Sequence, residues 1–478
     1  MARRRQAIRS AAAVTAALAA LGLPAGCGEG APRPPLAPAT GESGERGVDP
    51  LAYGGDDAAL SARAAAGHSH VLYVRSPDGV RATARRVERF RGLVEAAARH
   101  GDVDPDVLEA IVFLESAGRP EVIAGDDPEN ASGLTQILAE TGSNLLGMRI
   151  DLARSRALTR RYARERRRGR PGAAAAALRA RRRADERFVP ARALAATVRY
   201  LRLAREELGR DDLAVVSYHM GIGNLQGVLR AYGEDDVSYP RLYFDSTPLR
   251  HGGAWRRLAA LSDESSTYWW RVLAAREIMR LHRREPERLA DLDEAHNAKG
   301  SAEEVLHPPG DTKVFDDPGD VREAREDGEL VALPPPARLF FRRDRRMGQL
   351  AGRLKASPAL YHALRPEAVA LAAYVGAGVQ RISGERLPLV MTSAVRDRRY
   401  QELLIGINPE ATSGFSVHTT GFAFDVLRRY RSPRQAMAFE FLLDRLQSLN
   451  LVAWVREPAA IHVAVSRDAK GLVPFTEG

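Results

Sequence analysis

The sequence predicts a multidomain chain, with an N-terminal all-α domain followed by a C-terminal α+β domain. Three observations carry this. Residues 80–294 are rich in helix formers with apolar residues at helical spacing. From 338 onward short β-rich runs, "LPLVMTSAV", "LVAWVRE" and "IHVAV", alternate with helical segments. Between them, residues 295–337 are polar and broken by "HPPGD", "DDPGD" and "LPPPAR", which reads as a linker or cap. A length of 478 residues and a hydrophobic content of 45% are enough for two cores.

The chain opens on a cationic stretch, "MARRRQAIRS", then a short apolar run, "AAAVTAALAALGL", then small residues before Cys27. That is the layout of a secretory signal, too short to span a bilayer of roughly 20 residues. Residues 1–27 resemble a bacterial lipoprotein signal, with Pro24 where such signals usually carry Leu. The resemblance implies a lipid on Cys27 and an extracytoplasmic, membrane-anchored chain in the cell envelope. Cys27 is the single cysteine, so no disulfide forms within the chain. Residues 28–79 begin Pro/Gly-rich and read as a flexible tether. The balance of 71 Lys+Arg against 61 Asp+Glu gives +10, a charge suited to polyanionic surroundings. No glycine-rich phosphate loop, zinc-finger spacing or aromatic-basic RNA motif occurs, and no nucleic-acid partner is expected.

In the helical domain, "DVDPDVLEAIVFLESAGRP" sets Asp104 as N-cap and Pro105 at the first helical position. Val107, Leu108, Ile111, Val112 and Leu114 form a broad apolar face that ends at Glu115, beside Ser116 and Gly118. A carboxyl closing a buried helix is partly desolvated, which raises its pKa toward that of a general acid. "ASGLTQILAET" reads as a turn and a helix start carrying Gln136. "DDLAVVSYHMGIGN" reads as a helix ending in a glycine turn, with Tyr218 near its end. Residues 153–187 form an Arg/Ala block with strong helix propensity and almost no apolar face, either a solvated insertion or a polyanion-binding arm.

Glu115-Ser116, Gly133-Leu134-Thr135-Gln136-Ile137 and Ser217-Tyr218-His219-Met220-Gly221, in this order, resemble the three motifs of the lytic transglycosylase and goose-type lysozyme family over about residues 85–235. Thr135 stands for the family's Met and His219 for its Asn. The resemblance implies a lysozyme-like fold. It also implies cleavage of the β-1,4 bond between N-acetylmuramic acid and N-acetylglucosamine, with a 1,6-anhydro product. Glu115 would act alone as acid and then base, without a cofactor. Tyr218 would hydrogen-bond Glu115, and Ser116 and Gln136 would line the groove.

In the C-terminal domain, "SVHTTGFAFDV" places His418 and Asp425 across a turn at Gly421, before residues that read as a strand. "VAWVREPAAIHVAV" reads as a hairpin with Glu457 on one arm and His462 on the other. Two imidazoles and one carboxylate leave a fourth position open on tetrahedral zinc, the composition of catalytic sites. Zinc lowers the pKa of its water to about 7, and Glu457 could take that proton. Ser416, His418, Gly421, Ala423 and Asp425 complete the S-x-H-x-x-G-x-A-x-D motif, and with His462 they resemble the D-alanyl-D-alanine metallopeptidases over about residues 345–470. The resemblance implies a hedgehog/D-Ala-D-Ala peptidase-like fold and Zn2+ on His418, Asp425 and His462. In "TSAVRDRRYQ", similar to a family strand, Arg396 is the candidate for a peptide carboxylate or oxyanion.

Both resemblances point to one polymer, whose glycan strands and stem peptides are the expected partners. The sequence thus leads to a bifunctional peptidoglycan hydrolase, and alternatively to a wall-binding scaffold with one or both sites inactive.

Overall fold

The computed structural model describes residues 51–261, 264–408 and 411–475. The chain is mostly helical, with a small mixed sheet in its C-terminal part. It forms two compact units, residues 71–290 and residues 51–70 together with 291–475. The second unit is therefore built from two separate pieces of chain.

The first piece carries helix α1 (Asp57–Gly67), whose N-cap Asp56 accepts from the Ala59 N–H at 2.9 Å. Within its unit α1 lies on a late helix, and a Cβ at Gly67 would meet the Gln447 carbonyl oxygen at 1.9 Å. His68 Nε2 sits 2.8 Å from Ser448 Oγ. The expected tether over 28–79 is corrected here. Residues 28–50 lie outside the described residues, while 57–67 and 70–75 are helices. Gly67 and His68 make these contacts, so no large apolar residue advertised them.

In the first unit, α2 (Val80–Glu88), α3 (Arg91–Gly101) and α4 (Pro105–Ser116) are followed by α5 (Leu152–Arg167), α6 (Pro171–Ala184), α7 (Pro190–Leu208), α8 (Asp211–Met220) and α9 (Tyr268–Arg284). Among the described residues of this unit, β pairing is confined to isolated bridges. Helix α4 is central, packing against α9, α3, α2 and α7. Asp104 caps it through the Asp106 N–H, with Pro105 in the first turn, as expected. Leu108, Ile111 and Val112 are wholly buried, each contributing roughly 1.5–3 kcal/mol by leaving water. On α4 the buried Glu109 accepts from Arg91 of α3 at 3.2 Å and Arg283 of α9 at 2.8 Å, which ties the three helices together.

The Arg/Ala block is a helical hairpin, α5 packed on α6. Just beyond it, Arg187 and Asp185 are both fully buried and paired at 2.7 Å. Arg187 also donates to the carbonyls of Asn130 and Ile137, each at 3.1 Å, and of Pro128 at 2.5 Å. This arginine is a structural lock, not part of a solvated face.

The second unit holds β1 (Val331–Ala332), β2 (Phe341–Arg343), β3 (Ala363–Leu364), β4 (Leu389–Ser393), β5 (Ala423–Leu427), β6 (Val452–Arg456) and β7 (Ala460–Val465). Strands β2-β4-β5-β7-β6 form one sheet, with β2 and β4 parallel and the other neighbours antiparallel. Helices α11 (Pro366–Ser383) and α12 (Pro433–Ser448) pack on each other, and β1 pairs with β3 separately. The segment 295–337 is not a linker. It contains α10 (Glu303–Leu306), the helix Pro318–Glu326 and β1, and it buries Phe315, Val321 and Leu330 in a core cluster of this unit. Its prolines cap and break short elements that still pack.

Candidate active sites

Glu115 sits in the last turn of α4. The turn after it is left-handed, with φ of 52° at Ala117 and 69° at Gly118. A Cβ at Gly118 would meet the backbone of Arg86 and Val87 at 2.8 Å, so only glycine lets α2 pass this close. Glu115 is 8% exposed. Burial pushes its pKa up to about 7, opposed in part by a hydrogen bond from Tyr268 Oη to Oε1 at 2.7 Å. Among the described residues, no second carboxylate contributes to that shift.

The tyrosine on Glu115 is thus Tyr268, not Tyr218. Tyr218 is near the end of α8, as expected, but its hydroxyl donates to the Thr135 carbonyl at 2.7 Å and lies 3.2 Å from Thr197 Oγ1. His219 stacks on Tyr268 with ring centroids 5.0 Å apart, and its Nδ1 is 2.9 Å from Ser265 Oγ. Two other expectations are corrected. The Ser116 hydroxyl donates back to the Val112 carbonyl at 3.2 Å and is buried, so it faces its own helix. Gln136 begins no helix. It adopts φ of 50°, and its amide nitrogen closes the turn onto the carbonyls of Gly133 at 2.8 Å and Val122 at 3.1 Å. Thr135 Oγ1 is buried without a hydrogen-bond partner among the described residues.

The second site lies in the other unit. Ser416 precedes a short 3₁₀ turn, Val417–Thr420, that carries His418. Gly421 follows at φ of 81°, and a Cβ there would meet Leu330 Cδ2 at 2.6 Å. Asp425 is on β5, directly opposite His462 on β7. Asp425 Oδ1 lies 3.1 Å from His418 Nε2 and 2.9 Å from His462 Nδ1. Among the described residues, these three form the one cluster that could hold a metal ion, their donor atoms all within 4.8 Å of one another. Tetrahedral zinc bonds of ~2.0–2.1 Å would place ligand atoms about 3.3 Å apart, close to both distances.

The outer nitrogens of both rings are held. His418 Nδ1–H donates to the Ala394 carbonyl at 2.8 Å. His462 Nε2–H donates to Glu303 Oε2 at 2.8 Å. Each ring thereby turns its other nitrogen toward Asp425, the tautomer a metal needs. Arg396 braces Asp425 Oδ2 at 3.0 Å and also holds Ser393 and Gln401. Lys299 pairs with Glu303 at 2.5 Å.

Burial alone would raise Asp425 and Glu303, but the charges and hydrogen bonds around them win. Asp425 is held well below the usual carboxylate range by His418 and His462, and Glu303 falls to about 2 beside His462 and Lys299. Burial and Arg396 lower His418. Burial would lower His462 as well, but the two flanking carboxylates outweigh it and hold its proton up to about 10. A divalent cation between Nδ1 and Asp425 would take that proton's place.

Glu303 was not expected from the sequence. It comes from the stretch read as a linker, 159 positions before His462. Glu457, expected as the base, follows the end of β6 at the hairpin turn, and its N–H donates to the Ala460 carbonyl at 3.0 Å. The carboxylate that meets His462 is Glu303. Glu457 lies just past the end of β6, two residues after Val455, which is opposite His462. Cys27 lies outside the described residues, and no helix among those described is long and apolar enough to cross a membrane. No protein-family model matches this chain, and no curated protein matches it.

Proposed function

We propose that the chain is a two-site peptidoglycan hydrolase of the cell envelope, lipid-anchored through Cys27. The first unit, in this reading a lysozyme-like domain, cleaves glycan strands as a lytic transglycosylase. The second, a D-Ala-D-Ala peptidase-like domain, cleaves stem peptides with zinc. The observation that carries the reading is the convergence of motif residues His418 and Asp425 with the distant His462 on one carboxylate oxygen.

At the glycan site, the dry surroundings of Glu115 raise its pKa to about 7, so its acid form is available near neutrality. Tyr268 holds Oε1, which leaves the other oxygen to face the glycosidic oxygen. Glu115 gives its proton to the leaving sugar oxygen. It then takes one from the muramic 6-hydroxyl, whose oxygen closes onto C1, so the carboxyl is restored and no water is consumed. His219, stacked on Tyr268, keeps that tyrosine in place.

At the peptide site, His418 Nε2, Asp425 Oδ1 and His462 Nδ1 would hold the ion. Zinc in such a set polarises a peptide carbonyl and acidifies water. Ala394 and Glu303 fix the two imidazoles, and Arg396 fixes Asp425. Glu457 is assigned as the group that takes a proton from water and passes it to the leaving amine.

The test is digestion of purified sacculi followed by muropeptide analysis. Anhydro products should vanish with Glu115→Gln alone, and shortened or uncrosslinked stems with His418→Ala alone. If the wild-type chain releases neither product, both assignments are wrong and the wall-binding scaffold is left.

A further inference from the structure

Neither cleavage site uses the α5–α6 hairpin, yet it dominates the electrostatics of the chain. Residues 152–184 hold 13 arginines against a single acid, Glu165, a net of +12. The whole chain carries +10, so all the other residues together sum to −2. The chain is basic because of this hairpin and nothing else.

The arginines divide into two groups. Those at the base are tied to the body of their unit. Arg156 pairs with Asp127 at 2.8 Å, and Arg181 and Arg182 pair with Glu121 at 2.6 and 2.5 Å. Those at the tip are Arg164, Arg166, Arg167, Arg168 and Arg170, all exposed, around the turn at Gly169. The ion pairs of the tip stay within it, Arg164 at 3.2 Å and Arg170 at 3.8 Å from Glu165. Arg168 lies about 18 Å along the helix from Arg156, at ~1.5 Å per residue. That is about twice the ~8–10 Å screening length at physiological salt, so the acids at the base do not neutralise the tip.

We propose that this tip docks on an anionic lipid bilayer. Three features favour a bilayer. The five exposed arginines sit around one turn at the end of a helical hairpin, an arrangement that a plane of headgroups can meet all at once. Guanidinium forks match phosphate oxygens, and no lysine occurs between 152 and 184. The hairpin also lacks a stacking platform for nucleobases, since its one aromatic ring, Tyr162, is 6.0 Å from the Arg166 guanidinium. The tip has no large apolar residue, so attachment is electrostatic and sits at the surface. This inference does not rest on either cleavage reaction.

The test is vesicle flotation of the full-length chain carrying Cys27→Ala, so that no lipid on that cysteine contributes. Phosphatidylcholine vesicles are compared with vesicles that also contain phosphatidylglycerol. The protein should float with the anionic vesicles at low salt, remain behind with the neutral ones, and be released as salt rises. Changing Arg164, Arg166, Arg167, Arg168 and Arg170 to Gln keeps helix propensity. It should weaken partition at least tenfold, since each arginine near an anionic surface is worth several-fold. The same change at the exposed Arg81, Arg85, Arg89, Arg99 and Arg230 removes equal charge and should shift partition by no more than about twofold. Unchanged thermal unfolding of the tip variant would show that its fold survives. Equal binding to neutral vesicles, equal loss in both variants, or full retention in the tip variant would overturn the proposal. So would a chain that ignores both vesicles but retards double-stranded DNA.

Discussion

The burial that costs the fold energy at Glu115 also raises its pKa. Its pKa stands at about 7 against 4.5 in the open chain, so folding takes up a proton between those values. The stability tied to this group is complete below about 4.5 and is lost as pH rises through about 7, by ~3 kcal/mol at ~1.4 kcal/mol per unit. Urea unfolding of the first unit should show that decline, and Glu115→Gln should flatten it and be the more stable protein at pH 8. Glycan cleavage should fall over the same rise in pH, because the acid form disappears. At the other site, two carboxylates should separate by assay. Glu303→Ala frees His462 Nε2 and should weaken zinc binding about 10–100-fold in chelator competition. Glu457→Gln should leave zinc affinity unchanged while peptide cleavage drops by about 100-fold or more. If Glu457→Gln lost the metal and Glu303→Ala kept it, the two roles would be reversed.

Arg187 and Asp185, at the foot of the α5–α6 hairpin, join that hairpin to the turn carrying Gln136. Arg187→Ala would leave Asp185 buried without its cation and should cost about 3–5 kcal/mol in the unfolding of the first unit, measured by denaturant titration. Nothing local in the sequence separates Arg187 from Arg183. Its partners at 128, 130 and 137 lie 50 or more positions away, and only the folded chain brings them near. Elements with local rules were legible. Asp104 and Pro105 start α4, β6 and β7 form the expected hairpin, and the seven-residue spacing of His418 and Asp425 spans the turn at Gly421. Partners that arrive from afar were not. Tyr268 stands 153 positions from Glu115 and outside all three motifs. Glu303 stands in a proline-broken stretch whose composition speaks for a spacer. A single salt-bridged glutamate leaves no trace in the average polarity of such a stretch, because charge looks the same whether it ends up solvated or buried.

Each candidate site is contained within one unit, so the two should respond to separate perturbations. Calorimetry of the zinc-loaded protein should resolve two transitions. At zinc concentrations about 100 times the dissociation constant, binding contributes ~2.7 kcal/mol, and EDTA should lower one transition by about 5–10 °C. Glu115→Gln should move only the other transition. A single transition that shifts with both would show instead that the units unfold together. The split construction of the second unit also has a temporal consequence. Helix α1 is made early, but α12, on which it rests, is made after the entire first unit. At ~5–20 residues per second, α1 waits roughly 20–75 s for its partner. During that interval Gly67 and His68 stand without the helix that later covers them.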